Sequence, residues 1–143
     1  MAGGVRGWLQ WWGGWAGAWL VWLGLLTWLS SQSQPGPAIA IRHIDKLEHF
    51  VYFAAGGLAL AGALALRGRK NLEDAAAFYR LRREGVLVLV LGCAVGWLDE
   101  WHQSFVPGRV GLDVGDWLAD AGGSLTAALA AGTFLRLASR ILG

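Results

Sequence analysis

The chain has 143 residues, 55% of them hydrophobic and only 15% charged, with a net charge of +2 and a mean hydropathy of +0.43. That length excludes two ordinary domains, and that apolarity excludes an ordinary water-soluble one. The lone Cys93 lies in an apolar run, which excludes an intramolecular disulfide and leaves the redox compartment open.

A bilayer core about 30 Å thick needs roughly 20 apolar helical residues, because each rises about 1.5 Å. Four segments meet that need. They predict an all-α integral membrane bundle of four transmembrane helices, forming one domain over 1–143. The first, about Trp8 to Leu29, is uncharged and holds seven of the ten tryptophans: Trp8, Trp11, Trp12, Trp15, Trp19, Trp22 and Trp28. Spacings of three and four put Trp8, Trp12, Trp15, Trp19 and Trp22 on one stripe, suited to packing and interfacial anchoring more than to a cofactor. A signal peptide is a competing reading, given Arg6. The apolar stretch exceeds the roughly 7–15 residues of a signal core, and no A-x-A-like site precedes "SSQSQP".

"SSQSQPGPAI" reads as a turn, since Pro fixes φ and Gly permits positive φ. The second span, about Leu47 to Leu66, has charge only at its start. A basic linker, about 67–84, can hold a short interfacial helix, with Phe78 and Tyr79 as anchors. The third span, about Gly85 to His102, is charged only at its far end. "VPGRVG" is the next turn, and the fourth span, about Val114 to Leu135, has acids only in its first two turns. Gly13–Gly17 and Gly92–Gly96 are GxxxG pairs through which another helix can approach.

Sorted by side, the charges separate. Arg6, Arg67, Arg69, Lys70, Arg80, Arg82, Arg83, Arg136 and Arg140, nine of the twelve basic residues, fall at one end of these spans. The positive-inside rule makes that end cytoplasmic and predicts a multi-pass protein of the cell membrane with both termini inside. The other end holds Arg42, Lys46 and Arg109 with seven of the ten acids, Asp45, Glu48, Asp99, Glu100, Asp113, Asp116 and Asp120, and all three histidines. Ionisable groups at membrane depth are costly enough to suggest function. Spacing supports this: Asp45 and His49, Asp99 and Gln103, and Asp116 and Asp120 are i,i+4 pairs, so three helices each turn a polar pair to one side. If those faces meet, they form an outward polar cup.

"SSQSQP", "DKLEHFVYFAAGGL" at 45–58, "DEWHQSFVPGR" at 99–109 and "DWLADAGG" at 116–123 resemble, in order, the successive signatures of the VanZ-like family over about residues 28–130. Residue by residue, the resemblance covers Asp45, Lys46, His49 and Tyr52, then Asp99, Glu100 and Gln103, then Pro107, Gly108 and Arg109, then Asp116, Asp120 and Gly123. It implies an integral membrane protein of the cell envelope. The family's namesake is associated with low-level resistance to the glycopeptide teicoplanin. The resemblance supplies no reaction, and since relatives carry Asn or Asp at 120, that acid is not obligatory.

Several readings of the cup remain open. It can bind the head group of a lipid or lipid-linked envelope precursor, or a glycopeptide, with Arg109 and Lys46 on a phosphate or carboxylate. A reaction there would draw its acid and base from His49, His102, Asp99 and Glu100. A divalent metal could use a subset of His49, Asp99, Glu100, Asp116 and Asp120. No HExxH or clustered Cys/His spacing exists, so no metal set is assigned and the cofactor stays undefined. A proton or ion relay is a further reading, without an inverted repeat to support it. Against these stands a structural network: Asp45 and Glu48 resemble a capping box, Asp113 can cap the fourth helix, and Arg109 is the expected counter-ion. The module would then be a non-catalytic scaffold that meets a membrane partner or a second copy of itself. No P-loop, GxGxxG, CxxC or G-x-S-x-G occurs, and the basic linker suits anionic lipid better than nucleic acid.

Overall fold

The computed structural model describes residues 11–33, 44–67, 70, 72–79 and 81–142, so the expectations placed on Arg6, Trp8, Arg42, His43, Arg69 and Arg80 lie outside the described residues. The described chain is helical, without strands: α1 (Trp12–Ser30), α2 (Ile44–Leu66), α3 (Leu72–Phe78), a π-helical turn (Leu81–Gly85), α4 (Val86–Gln103) and α5 (Val114–Leu142). Three helices, Ile44–Leu66, Arg83–Gln103 and Val114–Ile141, are long and apolar enough to cross a membrane. The chain is on that basis a multi-pass membrane protein. Four such helices were expected. The α1 helix is uncharged and has 19 residues, about 28 Å of helix at 1.5 Å each, but it is not among the three.

The boundaries shift for physical reasons. The α2 helix begins at Ile44 rather than about Leu47, because Lys46 finds acids across the bundle and pairs with Asp45 beside it, so neither need lie in a loop. The α5 helix runs on to Leu142, past the expected end near Leu135, and so takes in Arg136 and Arg140. Long basic side chains can be carried beyond an apolar stretch in this way, because their charges reach outward to water.

The α2 and α5 helices pack parallel and close. Residues deep in α2 meet residues deep in α5, as at Gly57 and Ala127, while the start of each helix meets the start of the other through His49 and Asp120. A Cβ at Gly123 would collide with the Phe50 carbonyl oxygen, so the α2 and α5 backbones touch. Gly92 and Gly96 do the same on α4, where they receive Ser124 and Asp120. The expected Gly92–Gly96 approach is therefore present. Its counterpart is not: Gly17 has nothing within 4 Å of a built Cβ, and Gly13 faces only Trp11 of its own segment.

The tryptophans of α1 divide by depth and face. Trp15 is buried against Gly62 and lies edge-on to Phe134, and Trp22 fits over Gly56 while stacking on Tyr52. Trp12 is half exposed, so the expected stripe narrows to its inner members. Below them, Ala65, Leu66, Ala75, Ala76 and Leu135 bury the docked α3 against the bundle. The Tyr79 hydroxyl donates to the Ala128 carbonyl at 2.9 Å, and burial, with Glu84 second, pushes its pKa up to about 12. Tyr79 thus straps the linker to α5 instead of anchoring it in head groups, while the side chain of Phe78 lies outside what is described.

The exterior is apolar. Leu20, Val21, Leu25, Val90, Leu125 and Leu129 are exposed, whereas Asp99, Glu100, Gln103 and Asp120 are buried. Such a distribution fits lipid outside and polar partners inside.

Gly123→Ala should destabilise the protein by about 1–3 kcal/mol through backbone overpacking. Gly17→Ala should be neutral or stabilising by up to about 1 kcal/mol, since it improves helix propensity in open space. Thermal unfolding of both variants in detergent checks the contrast.

Candidate functional site

Four helix ends gather at one pole of the bundle: the C-terminal ends of α1 and α4 and the N-terminal ends of α2 and α5. The i,i+4 pairs of the sequence face one another there, in two layers. In the outer layer, Lys46 Nζ bonds Asp116 Oδ1 at 2.8 Å, Asp45 Oδ2 at 3.1 Å and Asp113 Oδ2 at 3.4 Å. One turn deeper on α2, His49 Nδ1 meets Asp120 Oδ1 at 2.9 Å. Asp120 is fully buried, and its second oxygen has no hydrogen-bond partner.

A second chain of bonds leads inward from the loop. The Arg109 guanidinium donates from Nε at 3.2 Å and from Nη2 to Gln103 Oε1. Gln103 Nε2 donates to Asp99 Oδ2 at 2.7 Å, and Ser30 Oγ donates to Asp99 Oδ1. Arg109 is therefore not the counter-ion it was expected to be. Among the described residues it forms no ion pair; the neutral Gln103 amide holds it, and Lys46 supplies the positive charge to the acids.

Glu100 holds the loop. Its Oε2 accepts from the Asp113 amide at 2.8 Å, and its backbone carbonyl accepts from the Leu112 amide at 3.2 Å. Positive φ at Gly108 and Leu112 turns the loop back over α4, and Gly111 sits against Ser104, where a Cβ would not fit. Oε1 of Glu100 is buried and bonded to nothing. One ring nitrogen of His49 and one oxygen each of Asp99 and Glu100 lie within 4.8 Å of one another, a set able to hold a metal ion. Of the wider set considered, Asp116 is committed to Lys46 and Asp120 to His49.

Two expected site residues lie apart. His102 is near the surface, its Nε2 3.1 Å from Ser31 Oγ, so it does not join His49. The Tyr52 hydroxyl donates to the Trp22 carbonyl at 3.0 Å and faces α1. Asp45 lies inside the first turn of α2 and bonds Lys46, so the capping-box role is not what its side chain performs. Asp113 does cap α5, accepting from the Gly115 amide at 2.7 Å and the Asp116 amide at 3.3 Å. Ser30 and Ser124 were not among the expected residues. Ser30 ends an uncharged helix and opens the "SSQSQP" stretch, and those were its signals.

Deeper than this polar end, an apolar crevice opens between α1, α2 and α4, lined by Trp19, Trp22, Phe53, Leu60, Val88 and Leu91 among others. No protein-family model matches the chain, and no curated protein or solved structure matches it.

The Gly115 amide first, then the Asp116 amide and Lys46, hold the Asp113 carboxyl below its ordinary value of 3.8, against the opposing effect of burial. A depressed folded pKa stabilises above the unfolded value and loses that contribution as pH falls through the folded one. Stability should therefore drop as pH falls below about 4. Asp113→Asn, which still caps, should flatten that part of the acid limb when thermal unfolding is followed across pH.

Proposed function

We propose that the chain is a four-span protein of the cell envelope, both termini cytoplasmic, whose outward polar end binds the anionic head group of a lipid-linked or surface ligand. The observation that carries this is Arg109, a guanidinium held by Gln103, itself bonded to Asp99, with no carboxylate on it among the described residues. A positioned arginine without a counter-ion suits a phosphate or carboxylate, which it binds through charge-assisted bonds. Two features support α1 as the fourth span: its lack of charge, and the bond from Ser30 at its end to Asp99 at the end of α4. The grouping in sequence of nine of the twelve basic residues away from the acids supports the orientation. The resemblance to the VanZ-like family adds the proposal that the ligand belongs to the envelope chemistry that teicoplanin-type glycopeptides target.

A structural reading has its own support, since Ser30–Asp99, Lys46–Asp116 and His49–Asp120 each join two helices. The two readings diverge at Arg109. Native mass spectrometry with phosphatidylglycerol and phosphatidylcholine as probes should show an anionic preference in the wild type. Arg109→Ala should lose it by roughly tenfold, the scale of one bond to a charged group, with thermal stability unchanged, and Arg109→Lys should restore part of it. Equal adducts in wild type and variant, with a large stability loss in Arg109→Ala, would favour the structural network.

Topology is checked separately in a Cys93→Ala background. Val110→Cys, at a residue 80% exposed in the α4–α5 loop, should label from outside intact cells. Lys70→Cys, on the basic linker, should label only after permeabilisation. Labelling of both from one side sinks the four-span orientation.

A further inference from the structure

We propose that His49, Asp99 and Glu100 form a divalent-cation site of the zinc or manganese class. The inference does not rest on head-group binding, since Arg109 is not a ligand and the metal alone is the probe.

Convergence comes first. One donor atom from each of the three residues lies within 4.8 Å of the other two, on two different helices. Small side-chain rotations would bring all three to about 2 Å from one ion. An acidic cluster alone would not suffice, and here a second observation points the same way. Glu100 is only 2% exposed, and its Oε1 has no partner. A buried carboxylate oxygen without a donor is costly unless something else meets it.

The imidazole is set up for the same role. His49 Nδ1 faces Asp120 Oδ1 at 2.9 Å, so a proton on Nδ1 is held by that carboxylate and Nε2 keeps its lone pair. A carboxylate on the far nitrogen is the arrangement that orients metal-bound histidines. Asp120 is thus a positioning residue. Asp99 meanwhile accepts from Ser30 at one oxygen and from Gln103 at the other. Among the described residues the nearby cations are already committed, Lys46 to Asp45, Asp113 and Asp116 and Arg109 to Gln103. Asp99, Glu100 and Asp120 therefore share one imidazole, and a bound cation would neutralise the surplus. One nitrogen and two carboxylate oxygens suit zinc or manganese better than the softer or all-oxygen metals.

The full-length protein in detergent, stripped with chelator, is titrated with Mn²⁺ or Zn²⁺ and read by native mass spectrometry. One ion per chain is expected. His49→Gln and Glu100→Gln should weaken binding by about tenfold or more, and Asp120→Asn by roughly 10–100-fold as an orienting partner. Glu48→Gln, an exposed acid on the same helix, should bind as the wild type does. In the Mn²⁺ form, electron-spin-echo modulation should show coupling to one imidazole nitrogen, a readout that stands even where a variant does not fold. No stoichiometric ion, an ion without nitrogen coupling, or unchanged binding in both ligand variants overturns the site. Repeating the phosphatidylglycerol comparison on stripped protein keeps failure of this site distinct from failure of head-group binding.

Discussion

Carboxylates can be buried at the end of an apolar bundle only if the helices bring a partner to each of them, and helices come that close only where side chains are small. Gly123 lets α5 touch α2, and Gly96 lets α4 accept Asp120. Asp120 lies one turn from Gly123 on the same face, so the contact that removes a side chain also delivers a carboxylate to His49. Without that approach, neither the deep pair nor the outer Lys46 layer could assemble.

Much of this pole was legible in the sequence. Pairs four residues apart, placed at the ends of apolar runs, identified Asp45, His49, Asp99, Gln103, Asp116 and Asp120, because helix periodicity alone brings such residues to one face. The turn at "VPGRVG" and the cap at Asp113 were legible for the same local reason. The identity of partners was not. Arg109 was expected on an acid and lies on Gln103, since charge in a sequence indicates need but not reach. Tyr79 looked like an interfacial anchor because it follows a basic stretch, and only the fold brings the Ala128 carbonyl to its hydroxyl. The α1 helix is a separate case: its lack of charge implies a span, yet it is not among the three helices that qualify.

The polar pole is graded. Its outer layer is partly exposed and ion-paired, its inner layer buried and short of donors. Exposed pairs of this kind add little stability, whereas buried groups lacking partners are costly. The Lys46 layer thus contributes local order over a centre whose energetics are set by whatever neutralises it. Glu100 joins that centre to the loop, because one residue holds the Asp113 amide with its side chain and the Leu112 amide with its backbone.

The indoles of α1 act as keys in the notches of α2. Trp22 occupies the space at Gly56 and Trp15 the space at Gly62, while Trp22 and Tyr52 exchange hydrogen bonds at 3.0 Å in both directions. Sliding α1 by one turn would set Trp22 against Leu60 or Tyr52 and Trp15 against Leu66 or Leu58, where no notch exists. Only one axial setting fits both keys. That setting carries Ser30 to the height of Asp99, so the hydrogen bond that ties α1 to the polar pole is measured off by two aromatic residues far down the same helix.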